Sequence, residues 1–350
     1  MNRVTVPFFI SHQGCPNACI FCDQRAITGS AGDVPFSSEI SAKIRAWQRF
    51  SGDRPLEVAF FGGTFTALSR PLQQQLLSSV HPFLASGEVS AIRISTRPDS
   101  LDADTVQWLA GQGVKTIEIG VQSMDDGVLA ASGRGHDAAA TLRALHSITS
   151  HGLAAGAQLM PGLPGDSPAI SRYSLESVIS AGADFIRIYP VVVLRDTELA
   201  RHYLSGRYRP LSVDEGVALC KVLVHVSLKR EIPVIRIGLQ DDEGLRNKSV
   251  LAGCWHPALG ELVYGELFYD LLLQMLDPVP ITTQPITISC HPARVSNVIG
   301  HKKRNIRRLS EQEVTVARVV TNPSLSPFEC EIRSSVCHRK GSIMSDLQYA

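Results

Sequence analysis

The sequence predicts an α/β protein, a partial (β/α)6 barrel of the TIM type followed by a small C-terminal α/β extension. Three observations predict it. Short β-branched apolar runs alternate with stretches of helical period, six strands in all before about Tyr208. The links between them are short, as parallel strands joined by helices require. No dinucleotide-binding glycine fingerprint follows the first run, which disfavours an open doubly wound sheet.

Val4–Ile10 reads as the first strand and opens into a Gly/Cys-rich loop. Over Phe36–Phe50, residues Ile40, Ile44 and Trp47 share one helical face. Leu56–Phe61 is the next strand, stopped by Gly62-Gly63. Pro71 suits the first turn of a helix whose stripe is Leu72, Leu76, Val80 and Phe83. Ile92–Ser95 is a strand, and a short helix around Thr105–Leu109 ends at Gly111 and Gly113. Val114–Val121, Leu153–Met160 and Asp184–Val191 complete the strands, separated by helices around Asp137–Ser150 and Ser167–Ser180. Beyond Tyr208 the rhythm changes: a helix near Val213–Leu228 leads to a further strand candidate at Ile232–Leu239. The expected organisation is a core barrel at 1–210, an extension closing it at 211–276, a small basic module at 277–321 and a partly disordered tail at 322–350. The prolines near Asp277–Gln284 mark the last of the internal boundaries but one.

At 350 residues, 44% hydrophobic and 19% charged, the chain has the composition of a soluble globular protein. No apolar run approaches the roughly 18–20 residues of a membrane span. Met1–Ile10 is too short and too weakly basic for a signal peptide, so a cytoplasmic location is expected. Eight cysteines are too few for a disulfide scaffold, and clustered thiols in a reducing compartment point to a metal or to catalysis. The net charge of +1 hides an uneven distribution. From Pro278 to Ser310 there is no Asp or Glu, while Arg294, Lys302, Lys303, Arg304, Arg307 and Arg308 fall there.

Cys15, Cys19 and Cys22 have the spacing C-x3-C-x2-C. Three thiolates on one tight loop ligate three irons of a [4Fe–4S] cube and leave the fourth open to a small molecule. The competing reading is a structural zinc with His12 as fourth ligand, although zinc ligands usually come as two separated pairs.

With Phe21 in its aromatic position, the motif resembles the signature of the radical S-adenosylmethionine (SAM) superfamily. That resemblance implies that SAM chelates the open iron and is cleaved by one electron to methionine and a 5′-deoxyadenosyl radical. It also implies an external electron donor such as ferredoxin or flavodoxin. Functional residues of an α/β barrel gather at the C-terminal ends of strands. There stand Gly62-Gly63-Thr64, Ser95-Thr96-Arg97, Gly120-Val121-Gln122-Ser123 with Arg134-Gly135-His136, Gln158-Leu159-Met160-Pro161-Gly162-Leu163-Pro164-Gly165, and Ile188-Tyr189-Pro190.

These motifs resemble most closely the radical SAM part of the Elongator catalytic subunit family, and more loosely oxygen-independent coproporphyrinogen oxidases. The resemblance runs over about residues 5–210 and thinly to about 310. It implies that Gly62, Gly63 and Thr64 hold the methionine end of SAM and that Phe21 packs near the adenine. Gln122 and Arg134 would orient nucleoside and carboxylate, with Ser95, Arg97 and Gln158 also lining the cofactor. Tyr189 would line the reaction site or relay a hydrogen atom. Members of that family modify the wobble uridine of transfer RNA. Ser95 stands where that family commonly has Glu, and Gln158 where the oxidases have Asp. No acetyltransferase domain is expected, so acetyl transfer by this chain alone is not expected.

Gly300-His301-Lys302-Lys303 resembles a KH-type clamp for a nucleic-acid backbone, with Lys303 in place of the second glycine of G-x-x-G. Its competitor is a solvated helix face. Cys254 beside Trp255 reads as a buried structural cysteine, and His136 as a hydrogen-bonding residue at the barrel mouth. Three functions stand at this point. The first is a radical SAM enzyme on a tRNA nucleoside; the second is one on a small metabolite or porphyrinogen; the third is a zinc-stabilised RNA-binding protein without catalysis. No pattern fixes the oligomeric state.

Overall fold

In a parallel sheet covered by helices, the strand face beneath the helices must be apolar. The strands β1 (Val4–Phe9), β2 (Leu56–Phe61), β3 (Val89–Thr96), β4 (Val114–Gln122), β5 (Ala154–Leu159) and β6 (Phe185–Ile188) meet that demand. Val6 and Phe8, Val58 and Phe60, Ile92 and Ile94, Ile117 and Ile119, Ala155 and Ala157, and Ile186 and Ile188 are all buried on one face. The computed structural model describes residues 3–10, 13–15, 19–23, 34–239, 249–277, 285–335 and 337–349.

The helices between these strands are α1 (Ser37–Ser51), α2 (Arg70–Ser78), α3 (His81–Ala85), α4 (Ala103–Gly111), α5 (Asp126–Ala131), α6 (Ala138–Ser150) and α7 (Pro168–Ser180). Four of the loops end in an N-cap. Asp102 accepts the Thr105 N–H at 2.8 Å, Asp125 that of Val128 at 2.9 Å, Asp137 that of Ala140 at 2.8 Å and Ser167 that of Ile170 at 3.2 Å. Each cap satisfies a donor the helix cannot, and contributes about 1 kcal/mol.

The short strand β7 (Val192–Leu194) leaves the sheet, and α8 (Glu198–Leu204) follows it. The further strand expected at Ile232–Leu239 is β8 (Val234–Ile237), which pairs parallel to β6. The sheet is therefore seven-stranded, in the order β1-β2-β3-β4-β5-β6-β8, and forms a partial (β/α) barrel. Its last strand escapes the six-strand reading because a long insertion separates it from β6. β9 (Val250–Gly253) pairs antiparallel with β7. Cys254, just beyond, is 1% exposed, and burial pushes its thiol up to about 12.

The chain forms two compact units: Met1–Leu211 with Ile232–Trp255, and Ser212–Glu231 with His256–Ala350. The second holds α9 (Val213–Lys229) and α10 (Leu259–Leu276), joined by a Lys221–Asp270 ion pair of 2.6 Å. It also holds β10 (Ile286–Cys290), α11 (Val295–Ile299), α12 (Arg304–Glu311), β11 (Val316–Thr321), β12 (Glu329–Arg333) and β13 (His338–Ser342). Its sheet runs β11-β10-β12-β13. β12 and β13 lie in the tail expected to be partly disordered. β12 alternates as Glu329-Cys330-Glu331-Ile332-Arg333 with Cys330 and Ile332 buried, but over only five residues, and β13 (His338-Arg339-Lys340-Gly341-Ser342) carries no apolar side chain. Cys290 and Cys330, 40 residues apart in the chain, face each other across β10 and β12, both fully buried. The proline-marked boundary falls largely at residues 278–284, outside the described residues. Among the described residues no helix is long and apolar enough to cross a membrane.

Candidate active site

The cysteine loop is held by backbone packed on backbone. Gly14 and Gly63 have left-handed φ of +71° and +59°. A Cβ on Gly14 would lie 2.4 Å from the Thr64 carbonyl oxygen, and one on Gly63 would lie 2.3 Å from that of Gln13 and 2.7 Å from that of Ile10. Only glycine permits that approach. The Thr64 N–H donates to Gln13 O at 2.8 Å, which locks the end of β2 to the end of β1. Cys15 Sγ then sits 3.4 Å from the hydroxyl of Thr64, a fully buried residue. The other end of the loop is fastened by Ile20 N–H to Ser132 O at 3.2 Å and Leu199 N–H to Ile20 O at 2.8 Å.

Arg134 reaches the same loop from beyond β4. Its Nη1 donates to Cys19 Sγ at 3.2 Å, its Nη2 to Gly120 O at 2.6 Å, and its Nε to His136 Nε2 at 3.3 Å. His136 Nε2 thus accepts. Burial, and then the Arg134 charge, push the imidazole down to about 4, so it stays neutral beside the guanidinium. A Cβ on Gly120 would lie 3.0 Å from Gln122 Nε2 and 3.3 Å from Arg134 Nη2, so amide and guanidinium converge over that glycine.

Gln122 is the last residue of β4 and has a φ of +70°. A side-chain-bearing residue held there costs roughly 1–3 kcal/mol and persists only where its surroundings impose it. The Met160 N–H donates to its carbonyl at 2.9 Å, and Gln158 Nε2 donates to its side chain at 3.4 Å. Arg134 thus bonds to Cys19 and Gln158 to Gln122, and the two pairs meet over Gly120.

Other expected residues take different places. Phe21 is 8% exposed, in an apolar cluster with Val128, Leu163, Val193 and Leu199, where it anchors the cysteine loop. Arg97 is buried, and its fork is engaged by Asp99 at 2.9 and 2.8 Å and by the Arg134 carbonyl. It holds the Arg134 backbone instead of presenting free donors. Gly62 has a φ of +75° in the turn after β2. Ser95 is half-buried and stands opposite Glu118 in the β3–β4 register. Tyr189 is half-buried, its ring 5.4 Å from the Arg187 guanidinium. Burial raises its phenol above the ordinary value, with Arg187 acting against the rise, and Oη keeps its proton.

One feature of the site escaped the sequence reading. The sheet face away from the aliphatic core carries Glu57, Arg93, Glu118 and Arg187. They are joined as Glu57–Arg93 at 2.8 Å, Arg93–Glu118 at 2.6 Å and Glu118–Arg187 at 2.6 Å. Glu57 and Glu118 are 1% and 3% exposed. Arg187 also lies over the Phe61 ring at 5.4 Å. A signal was present: each of these four strands has one charge at an inward alternating position.

The donor set fits an iron–sulfur cluster. Cys15, Cys19 and Cys22 are free and half-buried, and the Cys22 N–H closes a turn onto Cys19 O at 3.0 Å. Burial, and then the neighbouring Cys19 and Cys15, push the Cys22 thiol up to about 12. Three thiolates gathered without a cation repel one another, and a cationic iron core relieves that repulsion. Among the described residues, no three Cys, His, Asp or Glu side chains lie close enough to share one ion. His12, the fourth ligand in the zinc reading, lies outside the described residues.

The family model described as the radical SAM superfamily matches residues 9–170, and that of the radical SAM C-terminal domain matches residues 183–268. An uncharacterized protein of Methanocaldococcus jannaschii is 28% identical over 229 residues, 61% of this chain and 69% of that one. The tRNA uridine(34) acetyltransferase of the same organism is 24% identical over 300 residues, 74% of this chain. This chain spans only 54% of that relative's length. The solved structure of the archaeal Methanocaldococcus infernus Elp3 with an N-terminal deletion is similar in fold. Its TM-score is 0.60 at 22% identity, covering 76% of this chain and 64% of that one.

Proposed function

The chain belongs to the radical SAM superfamily, and from that premise we propose that it cleaves SAM reductively to take a hydrogen atom from a nucleoside of transfer RNA. Members of the superfamily use a [4Fe–4S] cluster and SAM. The observation that carries the reading is the cysteine loop itself. Three free thiols at C-x3-C-x2-C are locked to Gly63-Thr64 on one side and bonded by Arg134 on the other. The choice of transfer RNA rests on the Elongator-like motifs and on the similarity to tRNA uridine(34) acetyltransferases.

In this reading Cys15, Cys19 and Cys22 would hold the cluster, with SAM beside it. The bound pair supplies one-electron cleavage of a carbon–sulfur bond and a carbon-centred hydrogen acceptor, once a donor such as ferredoxin or flavodoxin has delivered the electron. The turn at Gly62, Gly63 and Thr64 offers backbone to the methionine end. Arg134 balances the thiolate charge at Cys19 and, with Gln122, presents donors toward the nucleoside end. Gln158 fixes the Gln122 amide, Arg97 fixes the Arg134 backbone, and neutral His136 fixes the guanidinium from the far side. Ser95 and the charge ladder wall the interior. Tyr189 offers a protonated phenol, held by Arg187, to the substrate.

The test is anaerobic reconstitution with iron and sulfide, addition of dithionite and SAM, and quantification of 5′-deoxyadenosine. Parallel samples carry Cys15, Cys19 and Cys22 all changed to Ala. The expected outcome is cleavage by the parent, none by the triple variant, and stimulation by bulk transfer RNA. Cleavage without any response to transfer RNA would keep the radical chemistry and remove the substrate. A parent holding one zinc and forming no 5′-deoxyadenosine would remove both.

A further inference from the structure

The second unit contains a loop that the chemistry above leaves unused. β10, α11, α12 and β11 form a β-α-α-β arrangement whose two strands pair parallel. The loop between the helices is Gly300-His301-Lys302-Lys303. Lys302 and Lys303 have left-handed φ of +50° and +62°. Lysine seldom adopts that conformation, since its Cβ crowds the following carbonyl. Two such lysines in succession require a rigid frame.

The frame is Asn305. It is 1% exposed, and its Nδ2 donates to Gly265 O at 2.9 Å, Asn297 O at 3.1 Å and Val298 O at 3.2 Å. Gly300 lies so close that a Cβ there would meet the Asn305 side chain at 2.7 Å and its backbone nitrogen at 2.9 Å. The first helix, the loop and the start of the second are thus tied to α10 through one amide. The His301 ring meets His256 edge-on at 5.3 Å, which fastens the loop's second residue.

The cations of this region divide into two sets. Arg308 donates to Glu266 at 2.7 Å and lies 3.5 Å from the Tyr269 ring centre; Arg304 lies within 3.9 Å of the same carboxylate. Arg294 stacks on Tyr264 at 4.1 Å. These are structural. Lys302, Lys303 and Arg307 are exposed, and their side chains make no hydrogen bond or ion pair among the described residues. Arg307 lies on α12, four residues beyond Lys303. No acid falls between Pro278 and Ser310 to neutralise them. The neighbouring strand β11 is an edge of its sheet, with Val319 and Val320 half-buried.

We infer that the Gly300–Lys303 loop and Arg307 form a clamp for the sugar–phosphate backbone of single-stranded RNA, with the bases turned toward the apolar edge at β11. A G-x-x-G loop between two helices grips a nucleic-acid backbone by close approach. Here the second glycine is Lys303, which keeps the left-handed conformation and adds a charge where that glycine has none. The choice of RNA over DNA rests on the transfer RNA reading above; the clamp itself does not.

The test uses the full-length chain and a fluorescent single-stranded oligoribonucleotide of about 12 nucleotides, with binding followed by anisotropy from low to moderate salt. DNA of the same sequence and the RNA duplex serve as competitors. Lys302→Glu with Lys303→Glu should weaken binding at least tenfold and lower the salt slope by about 1.4, or about 0.7 for each lost phosphate contact. Lys303→Gly should restore the two-glycine loop, lose no more than a few-fold in affinity, and lower the slope by about 0.7. Circular dichroism melts establish that each variant is folded. Binding by the double variant within twofold of the parent would overturn the clamp, as would no binding by the parent or equal binding of the duplex. Preferred binding of the DNA strand would overturn the choice of RNA. SAM cleavage by the parent without RNA is scored separately. An oligonucleotide bound by a chain that does not cleave SAM sinks the proposed chemistry and leaves the clamp; the reverse result does the opposite.

Discussion

The two units handle glycine loops and charge in opposite ways. In the first, Gly14 and Gly63 press backbone against backbone, and the charges of Glu57, Arg93, Glu118 and Arg187 are turned inward and paired. In the second, the left-handed loop opens to solvent, and Lys302, Lys303 and Arg307 stand unpaired. A left-handed backbone demands glycine only where a Cβ would also strike something. Where space is open, a charged residue can take the position at a modest conformational cost. A loop built to hold a small cofactor gives up side chains to gain proximity; a loop built to meet a long anion keeps them.

The sharpest way to break this contrast is Gly63→Ala. The added Cβ meets carbonyl oxygens at 2.3 and 2.7 Å, so the cysteine loop must move. SAM cleavage should fall by about 100-fold or more, equivalent to about 2.7 kcal/mol, with a lower iron content per chain. Next is Glu118→Gln, which leaves Arg93 and Arg187 short of a buried counter-charge. A loss of about 3–5 kcal/mol is expected, read as a lower urea midpoint with unchanged m-value. By contrast Glu329→Gln, at the exposed Lys340 pair of 2.9 Å, should shift stability by no more than about 1 kcal/mol.

Arg134→Lys retains the charge but cannot fork between Cys19, Gly120 and His136. Cleavage should drop by about tenfold, or about 1.4 kcal/mol, without unfolding. A change in melting temperature as large as that of Glu118→Gln would instead make Arg134 a structural residue.

A pH comparison sharpens the point further. His136 is pushed down to about 4 in the fold, below its unfolded value of about 6.5. Below the unfolded value the unfolded chain takes up a proton that the folded chain refuses, so stability falls as pH drops from about 6.5 toward 4. Melting temperatures of the parent and of His136→Gln, measured at several pH values across that window, should converge toward acid if this group contributes. The smallest effect is expected for Lys303→Gly, whose stability should stay within about 1 kcal/mol of the parent, because relief of left-handed strain is offset by greater unfolded-chain freedom.

The candidate site was largely legible in the sequence because its signals are local. Cys15, Cys19 and Cys22 fall within eight residues, and the turn residues at Gly62 and Gly63 directly follow an apolar run. The helix caps at Asp102, Asp125 and Asp137 likewise sit beside the helices they start. What stayed hidden depends on distant chain. The charge ladder joins residues from position 57 to position 187, and no window holds more than one member. Phe21 occupies the expected aromatic position, yet its burial with Leu163, Val193 and Leu199 is settled by strands far along the chain. Arg97 looked free because its partner Asp99 is a common turn residue and its other acceptor is a backbone carbonyl. β8 was legible as a strand candidate at Ile232–Leu239, but not its place beside β6, from which an insertion carrying α9 into the other unit separates it.

The two faces of the seven-stranded sheet also bear on how such a protein can vary over generations. The aliphatic side chains beneath the helices and the polar ones facing the interior alternate along the same strands, but they touch different neighbours. A substitution at Ser95 or Gln158 alters the chamber while the core that holds the barrel together keeps its contacts. Inheritance can therefore revise what the chamber accepts, one inward position at a time, without putting the fold at risk. Glu118 is an exception, since one carboxylate serves two arginines. It should change only together with its partners, and lineages of this barrel should divide at that position in coordinated steps.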